Sequence, residues 1–253
     1  VGDVVNVGGL RGEKQFVSVG NDVGRGRWLL GGGINAHRLM LSFISKVRNN
    51  THTGVYEELD PAKIYYMDVN DFSKFFDLDK RDIYKDIREI VDSIYKSEIV
   101  LHPTKKRTIK FRWVTYVEYN EDTRVIGLRW SHDIIPYISQ LTANFHTFKL
   151  SSIRHISSVN ALRLYEILIQ RVNLWDKGVY FDLDNLKYIL CLEDKYDGFA
   201  QFRQFVLGPS LQQINVSKDI IVSYTVKKKE RKVIGIQFDV RKYKKSFGGS
   251  DGY

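Results

Sequence analysis

Two stretches decide the fold. Met67-Asp68-Val69-Asn70-Asp71-Phe72, then Phe75-Phe76-Asp77-Leu78, is echoed 114 residues later by Phe181-Asp182-Leu183-Asp184-Asn185-Leu186, then Ile189-Leu190-Cys191-Leu192. In each copy a short apolar strand runs into an aspartate, Asp68 or Asp182, whose carboxylate suits the free N–H groups of a helix start. A short helix follows, then a polar turn: Asp79-Lys80-Arg81-Asp82 in one, Glu193-Asp194-Lys195-Tyr196-Asp197-Gly198 in the other.

A longer helix comes next in both. In the first copy Ile83, Ile87, Ile90, Val91 and Ile94 fall on one face, with Arg81, Lys85, Arg88 and Lys96 away from it. In the second, Phe199, Phe202, Val206, Leu211 and Ile214 make the stripe, leaving Gln201, Arg203, Gln204, Gln212 and Gln213 outward. Gly208-Pro209 is expected to break or kink this helix, because proline lacks the N–H and crowds the preceding turn. Each copy closes with a hairpin: Thr108–Tyr119 and Arg124–Trp130 around Asn120–Thr123 in the first, Ile220–Ser223 onward and Val233–Val240 in the second. Each is preceded by a helix, Asn35–Arg48 and Val159–Val172. The latter is apolar nearly all round, so it is expected to be buried, between the two units. Helix, strand, helix, helix, hairpin is the order of a winged helix-turn-helix. The expected fold class is α+β, with tandem winged helix-turn-helix domains related by an internal pseudo-repeat. Their expected bounds are 16–145 and 146–245, with flexible ends at 1–15 and 246–253. The segment Ile134–Lys149, with Pro136 and the polar run Gln140–Asn144, is the expected hinge.

Charge is concentrated in the second hairpin. Val226–Lys245 carries nine Lys/Arg against Glu230 and Asp239, a net of +7 out of +9 for the whole chain. Lys227, Lys228, Lys229, Arg231 and Lys232 crowd its tip, where cations would meet a phosphate backbone; a merely solvated basic hairpin has the same sequence. The pI near 9.4 points to a polyanionic partner. A chain of 253 residues with 43% hydrophobic and 13% aromatic content can build two cores, which excludes wholesale disorder. No stretch is apolar enough for a membrane helix, and the first residues do not read as a signal peptide. The lone Cys191 fits a reducing, cytoplasmic setting.

Several short stretches together resemble the iteron-binding plasmid replication initiators, the Rep family with two winged-helix domains. They are Gly127-Leu128-Arg129-Trp130-Ser131-His132-Asp133-Ile134-Ile135-Pro136-Tyr137-Ile138 through Phe145 and Leu150, Ala161-Leu162-Arg163-Leu164-Tyr165-Glu166-Ile167-Leu168, and Phe202–Pro209 leading to Ile214-Asn215. Asn21-Asp22 and Arg38-Leu39-Met40-Leu41 match the family's opening strand and first helix. The resemblance runs from Phe16 to Val240. It implies a protein that binds direct repeats (iterons) in double-stranded DNA at an origin and opens it. By the same resemblance the C-terminal domain supplies sequence-specific contacts, and the N-terminal domain supplies dimerisation and backbone contacts. Monomers then initiate, dimers repress, and host initiator and helicase proteins are partners. One departure is the glycine content: ten of 19 glycines fall in the first 33 residues, with Gly31-Gly32-Gly33 where the family enters a helix. Glycine weakens regular structure by roughly 0.5–1 kcal/mol per position.

In a helix-turn-helix the N-terminal part of the second helix faces base edges. Here that is Lys195, Gln201, Arg203 and Gln204, with Arg203 suited to guanine and the glutamines to adenine. Phosphate contacts are expected from the five hairpin cations and from Lys80, Arg81, Lys85, Lys105, Lys106 and Arg107 in the first unit. A surface salt bridge is the bland alternative for Arg203. Catalysis is not expected. The six histidines form no metal-holding pair beside a nucleophile, no GxxxxGK[ST] loop occurs, and one cysteine with dispersed histidines argues against zinc. No cofactor or metal is expected. Asp182 and Asp184 with Glu193-Asp194-Lys195 mimic a metal-nuclease spacing, but the repeat assigns Asp182 to a helix cap and Glu193 to a turn. Two non-enzymatic alternatives share the same sequence features: a double winged-helix transcription regulator without an origin function, and a protein-interaction scaffold.

Overall fold

The computed structural model describes residues 4–6, 16–28, 30–47, 59–139, 145–172, 178–217 and 219–243. The N-terminal unit runs β1 (Val4–Asn6), β2 (Phe16–Gly20), α1 (Asn21–Arg25), α2 (Gly33–Ile44), β3 (Ile64–Asp68), α3 (Val69–Phe76), α4 (Lys80–Lys96), β4 (Glu98–Thr104), β5 (Arg107–Arg112), β6 (Val114–Asn120) and β7 (Val125–Trp130). A short helix α5 (Ile135–Ile138) and β8 (Phe145–Lys149) lead to α6 (Val159–Ile169). The C-terminal unit is β9 (Gly178–Asp182), α7 (Leu183–Ile189), α8 (Phe199–Phe202), a π-turn (Arg203–Leu207), α9 (Gly208–Val216), β10 (Ile220–Lys229) and β11 (Lys232–Lys242).

The two units repeat each other down to single hydrogen bonds. The Asp68 carboxylate accepts from the Asn70 and Asp71 N–H groups (2.6 and 3.4 Å), and that of Asp182 from Asp184 and Asn185 (3.0 and 3.3 Å). Both first helices end on a left-handed residue, Asp77 (φ 55°) and Cys191 (φ 56°). Both close with the same long backbone bond, Leu78 N–H to the Ser73 carbonyl (2.9 Å) and Leu192 N–H to the Lys187 carbonyl (2.8 Å). This is the Schellman closure that satisfies the last carbonyls of a helix. Sheet order is also shared: β3-β7-β6 in one, with β1 added beside β3, and β9-β11-β10 in the other.

Several details differ from expectation. Residues Val4–Asn6 pair in parallel with Ile64–Tyr66, so the first sheet takes in chain upstream of residue 16. The expected strand Thr108–Tyr119 is two strands separated at Trp113. β5 pairs back with β4, and only β6 joins β7. The first unit therefore carries an extra hairpin, with Lys105-Lys106 at its turn. Gly208-Pro209 does not break the second long helix. The Gly208 N–H reaches the Arg203 carbonyl five residues back, and this π-turn carries the helix past the proline without interruption. The expected hinge is packed rather than free. Ile134, Ile135 and Ile138 are buried, and β8 pairs with β2 from Phe16↔Lys149 to Gly20↔Phe145. Residues 140–144 lie outside the described residues, as do 1–3, 7–15 and 246–253 of the expected ends.

The glycine run is accommodated by close approach. A Cβ on Gly32 would stand 2.9 Å from the Ile90 Cα of α4, and Gly33 has a φ of +69° at the start of α2. Glycine is therefore what brings α2 against α4.

Every residue of α6 from Ala161 to Ile169 is buried. Arg163 is 1% exposed, and among the described residues three groups hold its guanidinium. It pairs with Glu166 at 2.5 Å, donates to the Gly26 carbonyl at 2.9 Å, and lies 4.1 Å over the Trp28 ring. Burial pushes the Glu166 carboxyl up, against the pull of Arg163. On the other side of Trp28 stacks His37, fully buried. Its Nδ1–H donates to the Gly33 carbonyl (3.2 Å), which leaves Nε2 to accept from the Leu30 N–H (3.5 Å). Gln213, expected outward, instead turns its Oε1 to the Ser157 and Ser158 N–H groups ahead of α6 (2.9 and 3.2 Å).

Three outcomes are expected. Arg163→Ala should cost about 3–5 kcal/mol in urea unfolding by stranding Glu166, whereas Arg163→Met with Glu166→Leu should lose markedly less. Burial lowers the His37 value to about 3. The unfolded chain binds that proton more readily, so stability is complete above pH 6.5 and falls toward pH 3 by up to roughly 1.4 kcal/mol per pH unit. His37→Phe should flatten that slope in pH-dependent thermal melts. Cys191→Val should destabilise by about 1–2 kcal/mol, since a β-branched residue is an outlier at φ 56°, while Cys191→Gly should not.

Candidate nucleic-acid interface

The C-terminal unit presents a helix and a hairpin side by side. Phe202, Val206, Leu207, Ser210, Leu211 and Ile214 face inward along the helix 199–216. Gln201, Arg203 and Gln204 are exposed. Arg203 lies in a groove of about 1090 Å³ between the helix and the hairpin, whose charged lining sets Lys187, Lys228, Arg231 and Lys232 against Asp182, Asp184 and Asp197. Lys195 sits apart, in the turn ahead of the helix rather than on it, with its N–H bonded to the Leu192 carbonyl.

The hairpin is a long antiparallel ribbon, paired from Ile220↔Lys242 to Lys229↔Lys232, with a bulge between Lys227 and Lys228. Inner positions Ile220, Val222, Ile236, Phe238 and Val240 anchor it in the core. Beyond them Lys227, Lys228, Lys229, Arg231 and Lys232 are all exposed, and among the described residues none has a carboxylate partner. Glu230 takes a left-handed φ of 55° to turn the tip. Nearer the base, Arg241 is paired with Asp239 at 2.7 Å, and Lys244 and Lys245 lie outside the described residues.

The N-terminal counterpart differs in charge. Its equivalent hairpin, β6–β7, ends in Glu121 and Asp122, and Glu121 is ion-paired to Arg88 of α4. The exposed cations lie elsewhere: Lys80, Arg81 and Lys85 on α4, and Lys105, Lys106 and Arg107 on the extra hairpin. Arg81 stands 3.6 Å from Asp79; the other five have no carboxylate within ion-pair distance among the described residues. The wing is thus cationic and without ion pairs among the described residues in the C-terminal unit, and acidic and tied to its own helix in the N-terminal one.

Contacts between the units were not legible in the sequence. Arg27 bonds Glu193 (2.7 Å) and lies over the Tyr188 ring, while His102 Nε2 meets the Tyr188 hydroxyl at 2.8 Å. Charge patterns carry no signal for pairs 166 and 86 residues apart. The exposed Phe205 was also missed, and the Phe199-x-x-Phe202-x-x-Phe205 spacing carries no signal for it, since residues at that interval can share one broad apolar face. The acidic cluster is occupied structurally, with Asp182 capping α7 and Glu193 held by Arg27. Among the described residues no group of three or more His, Cys, Asp or Glu is placed to hold a metal, and no helix is long and apolar enough to cross a membrane.

Neutralising the five tip cations should weaken binding to all DNA sequences and flatten the salt dependence, by about 0.9 in log–log slope for each phosphate that is no longer neutralised. Arg203→Ala should instead erode discrimination by about 1–3 kcal/mol at one base pair. A uniform loss across sequences would assign Arg203 to the backbone.

Comparison with known proteins agrees with this architecture. Residues 33–169 match the family described as initiator replication protein, WH1, and residues 182–240 match initiator Rep protein, WH2. A replication initiation protein of Escherichia coli is 24% identical over 153 residues, covering 58% of this chain and 46% of that protein. The PI protein of Escherichia coli is 28% identical over 142 residues, covering 50% and 47%. An uncharacterised 27.6 kDa protein of the same organism is 24% identical over 162 residues, covering 62% and 66%. The chain thus spans between about half and two thirds of these relatives. The crystal structure of the Pi initiator protein in complex with iteron DNA superposes with a TM-score of 0.72 at 21% identity, over 91% of this chain and 98% of that one. With both winged-helix units matched in order, this chain belongs to the initiator replication protein family, DNA-binding proteins rather than enzymes.

Proposed function

We propose that this chain is a plasmid replication initiator that binds directly repeated duplex DNA, the iterons of an origin, and promotes opening of the adjacent tract. The observation that carries the reading is the exposed, unpaired cationic wing beside the polar face of the 199–216 helix. That pairing of features gives phosphate grip and base access to one surface. Family membership and the fold shared with the iteron-bound Pi initiator support it.

In this reading the C-terminal unit (146–245) reads sequence through Gln201, Arg203 and Gln204, with Lys195 contributing from the turn. The N-terminal unit (16–145) adds backbone contacts through Lys80, Arg81, Lys85, Lys105, Lys106 and Arg107, and carries the dimer interface. Monomers fill adjacent repeats and bend the DNA. Bending costs several kcal/mol, which the added phosphate contacts offset, and a neighbouring A·T-rich tract unpairs. Dimers repress the initiator's own promoter. Host initiator and replicative helicase are the protein partners, in the cytoplasm of a bacterial host.

The test is fluorescence anisotropy at two salt concentrations. The duplexes are a direct-repeat DNA selected by the protein from a random library and a scrambled control. The expected result is a preference of about a thousandfold or more, steep in salt, with stepwise occupancy of neighbouring repeats. Selection of a single palindrome filled once would favour a transcription regulator. Equal weak binding to both duplexes would overturn DNA reading altogether.

A further inference from the structure

The outward face of the 199–216 helix carries an aromatic residue that the proposed function leaves unused. Phe205 is 58% exposed although its neighbours Val206 and Leu207 are buried, so a phenyl ring stands in solvent among Gln201 and Gln204. An exposed phenylalanine forgoes burial that would favour folding. The ring is nevertheless held in place. It stacks on Tyr196, with centroids 6.2 Å apart and planes within 21°. Tyr196 is itself fixed in the turn before the helix. Its φ is 62°, and its carbonyl accepts from the Lys187 ammonium at 2.5 Å. Phe205 also lies at the centre of the π-turn Arg203–Leu207, the irregular stretch of this helix. Such turns are frequent at functional positions.

A rigid apolar ring on a face otherwise lined by the polar Gln201, Arg203 and Gln204 needs an apolar partner. In the major groove the base edges offer donors, acceptors and one apolar group, the C5 methyl of thymine. We propose that Phe205, braced by Tyr196, recognises thymine through that methyl group, and that Tyr196 acts as a positioning residue. This rests on the reading of 199–216 as the helix that enters the major groove. It adds to that reading a residue and a base.

The experiment replaces each thymine of the selected duplex, one at a time, by deoxyuridine. That change removes the methyl and leaves every hydrogen-bonding group of the edge intact. Dissociation constants are measured for the unaltered protein, Phe205→Ala, Phe205→Leu and Tyr196→Ala, with circular dichroism to establish that each is folded. At one or two positions deoxyuridine should weaken the unaltered protein about three- to fivefold, the value of one buried methyl group. Phe205→Ala should bind thymine and deoxyuridine duplexes alike at those positions, with its salt dependence unchanged. Phe205→Leu should retain part of the discrimination, and Tyr196→Ala should reduce it. Methyl sensitivity that persists in Phe205→Ala, or no sensitivity at any thymine in the unaltered protein, would overturn the proposal while leaving DNA reading in place. Failure of the library to yield a preferred duplex would overturn both together.

Discussion

A guanidinium with almost no access to water sets the terms for the middle of this molecule. Arg163 must find a counter-charge and hydrogen-bond acceptors without leaving α6, because an unpaired buried charge costs several kcal/mol. Glu166 supplies the charge one turn away, Gly26 the carbonyl, and Trp28 the ring face. Meeting those needs pins the 26–28 segment onto α6, and Trp28 in turn stacks on His37 of α2 and meets Trp113 edge-on. Arg38, one residue further along α2, donates to the carbonyls of Arg154 and Ile156 and holds the loop that leads into α6. From the opposite side Gln213 of α9 reaches the Ser157 and Ser158 amides, and the Tyr165 hydroxyl meets Asp219. A helix buried on all sides thus serves both units at once.

Around it, one supersecondary plan has been used twice and then altered where it meets solvent. The aspartate caps, left-handed helix ends and Schellman bonds occur in both units because each satisfies backbone groups that a helix end leaves without intrahelical partners. The wings are under no such constraint. In the N-terminal unit the tip is acidic and bound to α4 through Arg88 and Glu121. In the C-terminal unit the tip projects five cations, none of which has a carboxylate within ion-pair distance among the described residues. Concentrated like charge destabilises a hairpin by self-repulsion, and a polyanion laid across it relieves that repulsion. The second long helix departs from regularity next to this wing, with a π-turn, an exposed phenyl ring and a groove that takes in Arg203. Backbone irregularity and cationic charge therefore occur together in one unit and on one surface.

Much of this was legible from residue order alone. The strand–aspartate–helix repeat, the apolar stripe of α4 and that of the 199–216 helix are local patterns, and local patterns follow from helix period and backbone satisfaction. The all-round apolar α6 announced its own burial. The continuity past Gly208-Pro209 turns on a bond only five residues long, but three other misreadings share a cause, since each depended on an atom far away in sequence. The strand Thr108–Tyr119 divides because β4 offers its first half a different partner. Gly32 looked like weakness and is a close approach, visible only once α4 lies against it. Gln213 turns inward because unpaired amides at 157 and 158 lie within reach.

The sequence by itself determined the tandem winged-helix plan, the placement of its caps and the clustering of cations at one hairpin tip. These depend on neighbours within a few residues. Only the tertiary structure decided which wing is free, that Arg203 faces the wing groove while Gln213 turns to the amides ahead of α6, and that Phe205 stands exposed on a braced turn. Side-chain exposure and ion pairing depend on which distant surfaces come together, and periodicity along one chain carries no information about that.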